Sequence, residues 1–182
     1  MKYEWYCLTD FHTPEECRRI REYVLDKSTD TIRDKPAEGV VKTAEVKHAY
    51  YGQVGDALEK MTHMVHNVNR RMFGFDLSPI SNFDTVHMNF YSADKEGEYS
   101  WHADGVHNEM FDAKLTAILN LTEDEIDGGD FELFISGPTP VPDFKKLGSL
   151  IIFPSYINHR VLPVTKGTRI TLAHWFLGPN LR

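Results

Sequence analysis

Residues 85–92 read TVHMNFYS, and the period of the chain changes there. Polar and apolar side chains begin to alternate in steps of two, as a half-buried strand requires. Upstream the spacing is helical. Val54, Leu58, Met61, Val65, Val68 and Met72 form one apolar stripe over five turns, with Gly74 placed to end the helix and His63, His66 and Asn69 pointing away from the stripe. An earlier helix opens in HTPEECRRIREYVLDK, residues 12–27. Thr13 serves as N-cap, Pro14 takes the first helical position, Glu16 completes a capping box, and Cys17, Ile20 and Val24 form the buried stripe. Residues 3–8 suit a strand, residues 28–39 a polar loop, and residues 40–52 a strand or extended lid.

Downstream of TVHMNFYS the short apolar runs continue. They are YSWHAD (99–104), KLTAILNL (114–121), DFELFIS (130–136), GSLIIFPS (148–155), NHRVLPV (158–164) and TRITLAHWFLG (168–178). The turn-forming segments DKEGE, EDEIDGG, GPTPVPD and TKG separate them. About seven consecutive short strands call for an antiparallel double sheet or barrel. With two helices placed first, the fold class is α+β, the helices covering one face of a β-sandwich. The expectation is one domain, with helical support over about residues 1–83 and a β core over about 84–182. The Gly128–Gly129 pair reads as a turn, since no helix follows to make it a phosphate cradle.

The chain has 182 residues, 41% of them apolar and 26% charged, and a net charge of −7. Lys and Arg are outnumbered and scattered, which argues against binding to a phosphate backbone. MKYEWYCLTDFH lacks the long apolar region of a secretory signal, and no run reaches membrane-spanning length, so a cytoplasmic protein is expected. Cys7 and Cys17 are too few for a disulfide framework and read as ordinary buried thiols.

Chemistry concentrates in the β half, in His102, Asp104, His159 and Arg169. A single His-x-Asp pair is weak information. On a strand, however, residues i and i+2 share a face, so His102 and Asp104 point together. A second His from a distant strand completes a two-His-one-carboxylate triangle, the arrangement that leaves open positions on non-haem Fe(II).

The order of features in this half resembles the Fe(II)- and 2-oxoglutarate-dependent dioxygenases, and within them the prolyl 4-hydroxylase-like group. FYSADKEGEYSWHAD resembles the family's Tyr, Gly-containing loop, Tyr and His-x-Asp. AILNLTEDEIDGGDFELF resembles its strand, acidic turn, Gly-Gly and strand ending in Phe. LGSLIIFPSYINHRVLPVTKGTRITLAHW resembles its Phe-Pro strand, second His, Arg ten residues on, and Trp. The opening FHTPEECRRIREYV is similar to that group's first helix.

The resemblance implies a distorted double-stranded β-helix, a jelly-roll relative. It implies iron ligands His102, Asp104 and His159, with Arg169 holding the distal carboxylate of 2-oxoglutarate. Further contacts to that cosubstrate would come from Tyr91, Thr171 and Asn89, with Trp175 lining the pocket and Tyr99 packing under the metal. The cofactors implied are Fe(II), 2-oxoglutarate, O2 and ascorbate as reductant. The products would be succinate, CO2 and a hydroxylated protein, peptide or small-molecule substrate, a prolyl residue or proline first among them. Where oxygen-sensing animal members carry a cosubstrate-binding tyrosine, this chain has Ile118. The turn PVTKGT is expected to set the Arg169 strand alongside the His159 strand, so that the two side chains flank one pocket. His174, an odd number of residues from Arg169 and Thr171, should face the opposite side. His87 and His107 read as structural or solvated, with a site role as the alternative.

Two other classes stay open on the sequence. A non-catalytic jelly-roll binder would have no need of Arg169. An AlkB-like nucleic-acid demethylase would share the triad but carry a second Arg six residues after Arg169 and a basic, aromatic-lined groove.

Overall fold

A computed structural model describes residues 4–29, 38–104 and 111–180 of the chain. The first helix, α1 (Pro14–Lys27), begins at the capping box read from the sequence. The Glu16 amide donates to Thr13 Oγ1 and the Thr13 amide to the Glu16 carboxylate. The second, α2 (Tyr51–Val68), runs into one wider π-turn at Asn69–Phe73, and Gly74 ends it in the left-handed conformation at φ 73°. The apolar stripe of α2 is buried as its spacing requires. Asn69 departs from its reading as an outward residue. It is 6% exposed, and its amide donates to the Phe75 carbonyl at 2.8 Å and accepts from the Phe75 amide at 2.9 Å. The π-turn rotates it off the outer face and makes it the clasp of the turn that follows.

Twelve strands form two facing sheets and a small ribbon. The major sheet contains β1 (Tyr6–Leu8), β2 (Glu45–Tyr50), β3 (Thr85–Ser92), β5 (Phe111–Asn120), β9 (Leu150–Pro154) and β12 (Thr168–Pro179), in the order β1-β9-β5-β12-β3-β2. The minor sheet contains β4 (Tyr99–His102), β7 (Phe131–Phe134), β8 (Pro138–Pro140) and β10 (His159–Val161), in the order β4-β10-β7-β8. The ribbon pairs β6 (Asp127–Gly128) with β11 (Val164–Lys166). This is the double-stranded β-helix expected. Two of its strands, β1 and β2, come from the N-terminal half and pair on the two edges of the major sheet.

Period-two alternation sorts the side chains into two cores. Val86, Met88, Leu115, Ala117, Leu119, Leu150, Ile152, Leu172 and Phe176 pack against α1 and α2. Tyr91, Ile118, Ile151, Phe153 and Ala173 face inward, toward Phe131, Leu133 and Val161 of the minor sheet. His174 sits on the helix side, fully buried, its ring stacked on Tyr51 at 5.1 Å and tilted against Phe176. Gly128 and Gly129 both hold positive φ, and a Cβ on Gly128 would lie 2.2 Å from the Pro163 carbonyl. The pair is a turn, as read. Cys7 is half-buried and Cys17 buried, and both are free thiols. No helix of the described residues is long and apolar enough to cross a membrane.

Candidate metal centre

His102 ends β4 and His159 begins β10, and the two are direct antiparallel partners. Asp104 lies just past the strand end, where its amide donates to the Ser155 carbonyl at 3.0 Å. One ligand atom from each of the three falls within 4.8 Å of the others. His102 Nε2 is 4.0 Å from Asp104 Oδ1, and His159 Nε2 is 3.8 Å from Asp104 Oδ2.

Both imidazoles are oriented from behind. Nδ1 of His102 lies 2.8 Å from the Ser100 carbonyl and Nδ1 of His159 lies 3.1 Å from the Ile157 carbonyl. A carbonyl only accepts, so each Nδ1 carries the proton and each Nε2 presents its lone pair to the centre, the usual second-sphere arrangement of a metal-bound histidine. Burial and the neighbouring His159 push the His102 pKa down to about 4, with the Ser100 carbonyl and Asp104 acting in the opposite direction. His102 is therefore neutral, and able to ligate, at physiological pH. Tyr99 stacks on the His102 ring at 3.4 Å between centroids and 12° between planes.

Two residues that the sequence reading missed hold Asp104. Thr116 Oγ1 donates to Asp104 Oδ2 at 2.5 Å and lies 2.9 Å from Ser155 Oγ. A threonine has one O–H. Since Thr116 gives its proton to the carboxylate, Ser155 donates to Thr116, and the chain of bonds runs Ser155 to Thr116 to Asp104. Thr116 is 1% exposed and Ser155 is fully buried. The available signal was parity: Thr116 shares the inward face of β5 with Ile118 and Asn120.

The triad lines a cavity of about 250 Å³ between the sheets. Arg169, Tyr91, Thr171, Asn89 and Trp175 line the same cavity, as do His87 and Ile118. Strand pairing sets them in rows on the cavity face of the major sheet: Arg169 opposite Tyr91, Thr171 opposite Asn89, Ala173 opposite His87. Ile118 makes its stretch of wall apolar. His107 falls in segment 105–110, outside the described residues.

The placement of Arg169 corrects one expectation. β12 and β10 are not neighbours, because β12 lies between β5 and β3 in the major sheet while β10 lies between β4 and β7 in the minor one. Ribbon strand β11 carries the chain from one sheet to the other, so Arg169 and His159 face each other across the cavity.

Arg169 is 4% exposed, with its guanidinium 5.6 Å from the Tyr91 ring centre and 5.5 Å from that of Phe144. Burial lowers its pKa to about 10, opposed by Tyr91 and Asp130, so it keeps its charge at neutral pH. No carboxylate among the described residues comes within ion-pair distance of it. A buried cation without an anion is costly, and a carboxylate ligand would relieve that cost. Gly129 leaves it room, since a Cβ there would lie 3.1 Å from Arg169 Cδ.

The donor set fits a borderline divalent ion such as Fe(II): two neutral imidazoles and one carboxylate, with no thiolate. The facing cation fits the far carboxylate of a dicarboxylic keto acid.

Comparison with known proteins agrees with this chemistry. A family model described as the 2OG-Fe(II) oxygenase superfamily matches residues 86–177. Two curated proteins named PKHD-type hydroxylase match part of the chain. One, from Synechococcus sp. (strain CC9311), is 37% identical over 84 residues. The other, from Acidovorax ebreus (strain TPSY), is 38% identical over 88 residues. These matches cover 45% and 43% of this chain but only 37% of either relative. Among solved structures, a Pseudomonas putida prolyl-4-hydroxylase superposes with TM-score 0.71 at 22% identity, over 96% of this chain and 92% of that one. A viral collagen prolyl hydroxylase from Paramecium Bursaria Chlorella virus-1 gives 0.68 at 17% identity, over 97% of each. At these identities the superpositions speak for the fold. The family match, which spans half of the sequence and includes all three candidate ligands and Arg169, speaks for more: the chain belongs to the 2OG-Fe(II) oxygenase superfamily.

Proposed function

We propose that this protein is an Fe(II)- and 2-oxoglutarate-dependent dioxygenase that hydroxylates an unactivated C–H bond of a prolyl residue in a polypeptide or of proline. One observation carries the reading: the His102–Asp104–His159 triangle and the unpaired Arg169 cation face one another inside a single cavity. A ligand-binding jelly roll has no use for that second feature. The named activities of the relatives, PKHD-type hydroxylase and prolyl-4-hydroxylase, support the choice of substrate.

In this reading His102, Asp104 and His159 hold the iron through Nε2, carboxylate and Nε2. Bound iron, with 2-oxoglutarate and O2, supplies oxidative decarboxylation to succinate and CO2 coupled to oxygen insertion into the substrate C–H bond. Arg169 binds the distal carboxylate of the cosubstrate with its guanidinium fork. Thr171, Tyr91 and Asn89 supply the neutral polar contacts that a tyrosine in place of Ile118 would otherwise give, and Trp175 walls the substrate side. Ascorbate serves as an external reductant. Rigid strands carry every one of these groups except Asp104, and the Ser155–Thr116 chain fixes that one; such preorganisation keeps the reacting atoms within the narrow tolerance C–H chemistry needs.

The test is anaerobic visible absorption on adding Fe(II) and then 2-oxoglutarate. A weak charge-transfer band that needs both components is expected. Metal binding with no response to the keto acid would overturn the dioxygenase reading in favour of a non-catalytic binder. His102→Ala should abolish succinate formation.

A further inference from the structure

The inference here rests on the hydroxylase reading and concerns where its substrate lies. The cavity has two ends of different chemistry. Arg169, Thr171 and Asn89 make one end polar; Thr85, His87 and Trp175 make the other aromatic. The keto acid belongs to the cation, so the aromatic end is left for the substrate.

That aromatic wall does not stop at the cavity. In an antiparallel pair, residues directly opposite each other share a face. His48 of β2 is opposite His87, and Tyr50 is opposite Thr85, so the cavity-facing side of the sheet continues onto its edge strand. The rings form a row. Trp175 to His87 is 4.8 Å, His87 to His48 6.4 Å, His48 to Tyr50 6.3 Å and Tyr50 to Phe83 6.5 Å between centroids. The row emerges into solvent at its far end, where Tyr50 is 43% and Phe83 81% exposed. Isolated exposed apolar residues need no explanation, but a run of them continuous with a ligand cavity marks a binding surface.

Size decides what binds there. Pockets that enclose a whole drug-sized ligand run from about 300 Å³ upward. This one has about 250 Å³ in which to hold a metal, a keto acid and the reacting group. Anything beyond one side chain must lie outside it, and the ring row is the apolar surface that continues from its wall. The path from Trp175 to Phe83 is roughly 20 Å, the span of about six extended residues. Aromatic rows take proline-rich and aliphatic chain segments, whose stiffness keeps the ordering cost low.

We infer that the substrate is a polypeptide segment that lies along His87, His48, Tyr50 and Phe83, with the residue to be oxidised inserted beside Trp175. Single-stranded nucleic acid also stacks on aromatic rows, but a chain of net charge −7 is poorly suited to it.

The experiment uses the protein loaded with Co(II) and 2-oxoglutarate, so that no turnover occurs. A fluorescein-labelled pool of dodecapeptides, proline at the centre and randomised flanks, is titrated by fluorescence anisotropy. Phe83→Ser should weaken binding at least tenfold, with no loss of fold expected from so exposed a position. Phe134→Ser, an exposed aromatic packed on Trp101 at the outer face of the minor sheet, should leave it unchanged. Wild-type affinity in Phe83→Ser, equal affinity for free L-proline, no binding of the pool, or preference for labelled oligothymidylate would each overturn the inference. The Fe(II)- and 2-oxoglutarate-dependent band separates the two levels. If the band is present and the peptide result negative, only the track fails; if wild type lacks the band, the hydroxylase reading fails with it.

Discussion

Replacing Thr116 with valine tests whether the metal site depends on its supporting hydroxyls. Valine matches the shape of threonine and removes only the donor. The lost bond is an O–H to carboxylate contact of 2.5 Å, in the class of short, charge-assisted bonds. Bonds to charged groups contribute about 1.5–3 kcal/mol each. Part of that is lost equally with and without metal and does not affect affinity. What remains is the differential part. The Asp104 side chain is 13% exposed, so water can reach it but poorly, and once released it must be refixed when metal binds. Outer-sphere partners of this kind change metal affinity about 10–100-fold, which is about 1.4–2.7 kcal/mol at 1.4 kcal/mol per decade. Isothermal titration of the ligand-free protein with Co(II), alongside the visible spectrum of the bound ion, measures it. Thr116→Ser should restore affinity to within about threefold by keeping the donor. Co(II) affinity in Thr116→Val within about twofold of wild type, with an unchanged spectrum, would refute the argument, since a purely structural role for Thr116 would not distinguish serine from valine at the metal.

Three further outcomes follow from the same geometry. Arg169→Met should abolish the 2-oxoglutarate-dependent band yet raise the urea midpoint of the ligand-free protein, by on the order of 1 kcal/mol, because it removes a buried cation with no anionic partner; a lower midpoint counts against an unpaired cation. Burial holds the His174 pKa down to about 3, so the folded state refuses a proton that the unfolded chain accepts near pH 6.5, and stability falls as pH drops below that value by up to about 1.4 kcal/mol per unit. His174→Leu should flatten the urea-midpoint profile between pH 6.5 and 5, and equal slopes in wild type and variant would sink the assignment. Gly148→Ala should cost more than about 3 kcal/mol or prevent folding, because Gly148 holds φ +76° and the added Cβ would lie 2.1 Å from the His12 carbonyl; a urea midpoint close to wild type would contradict it.

What the sequence made legible was local. The capping box at Thr13–Glu16, the stripe from Val54 to Met72 and the alternation in TVHMNFYS each depend on neighbours within a few turns or along one strand. The ligand pair was legible for the same reason, since His102 and Asp104 are two residues apart, and His159 followed from the ordered pattern around it. Asn69 was misplaced because a π-turn shifts the helical phase by a fraction of a turn, and residue spacing carries no mark of it. Thr116 and Ser155 were missed because they are 39 residues apart and meet only through the pairing of β5 with β9. Parity could have put Thr116 on the inward face, but not beside Asp104.

The exchange of "alongside" for "across" in the Arg169 placement has a functional consequence. Three ligands on or next to adjacent minor-sheet strands form a unit that local register alone keeps together. The Arg169 cation belongs to the other sheet, so its distance from the metal is set by how the two sheets pack, roughly 10 Å apart. Inward side chains such as Phe131, Phe153 and Ile151 hold that spacing. A large-to-small change among them should therefore act on the cosubstrate before it acts on the metal. Phe153→Leu should raise the 2-oxoglutarate concentration needed for the band while leaving Co(II) affinity within about twofold, the pattern of a site whose halves are each well fixed but whose separation has been altered. Equal losses in both would mean that the minor sheet does not hold the triad independently, and that metal and cosubstrate share one packing unit.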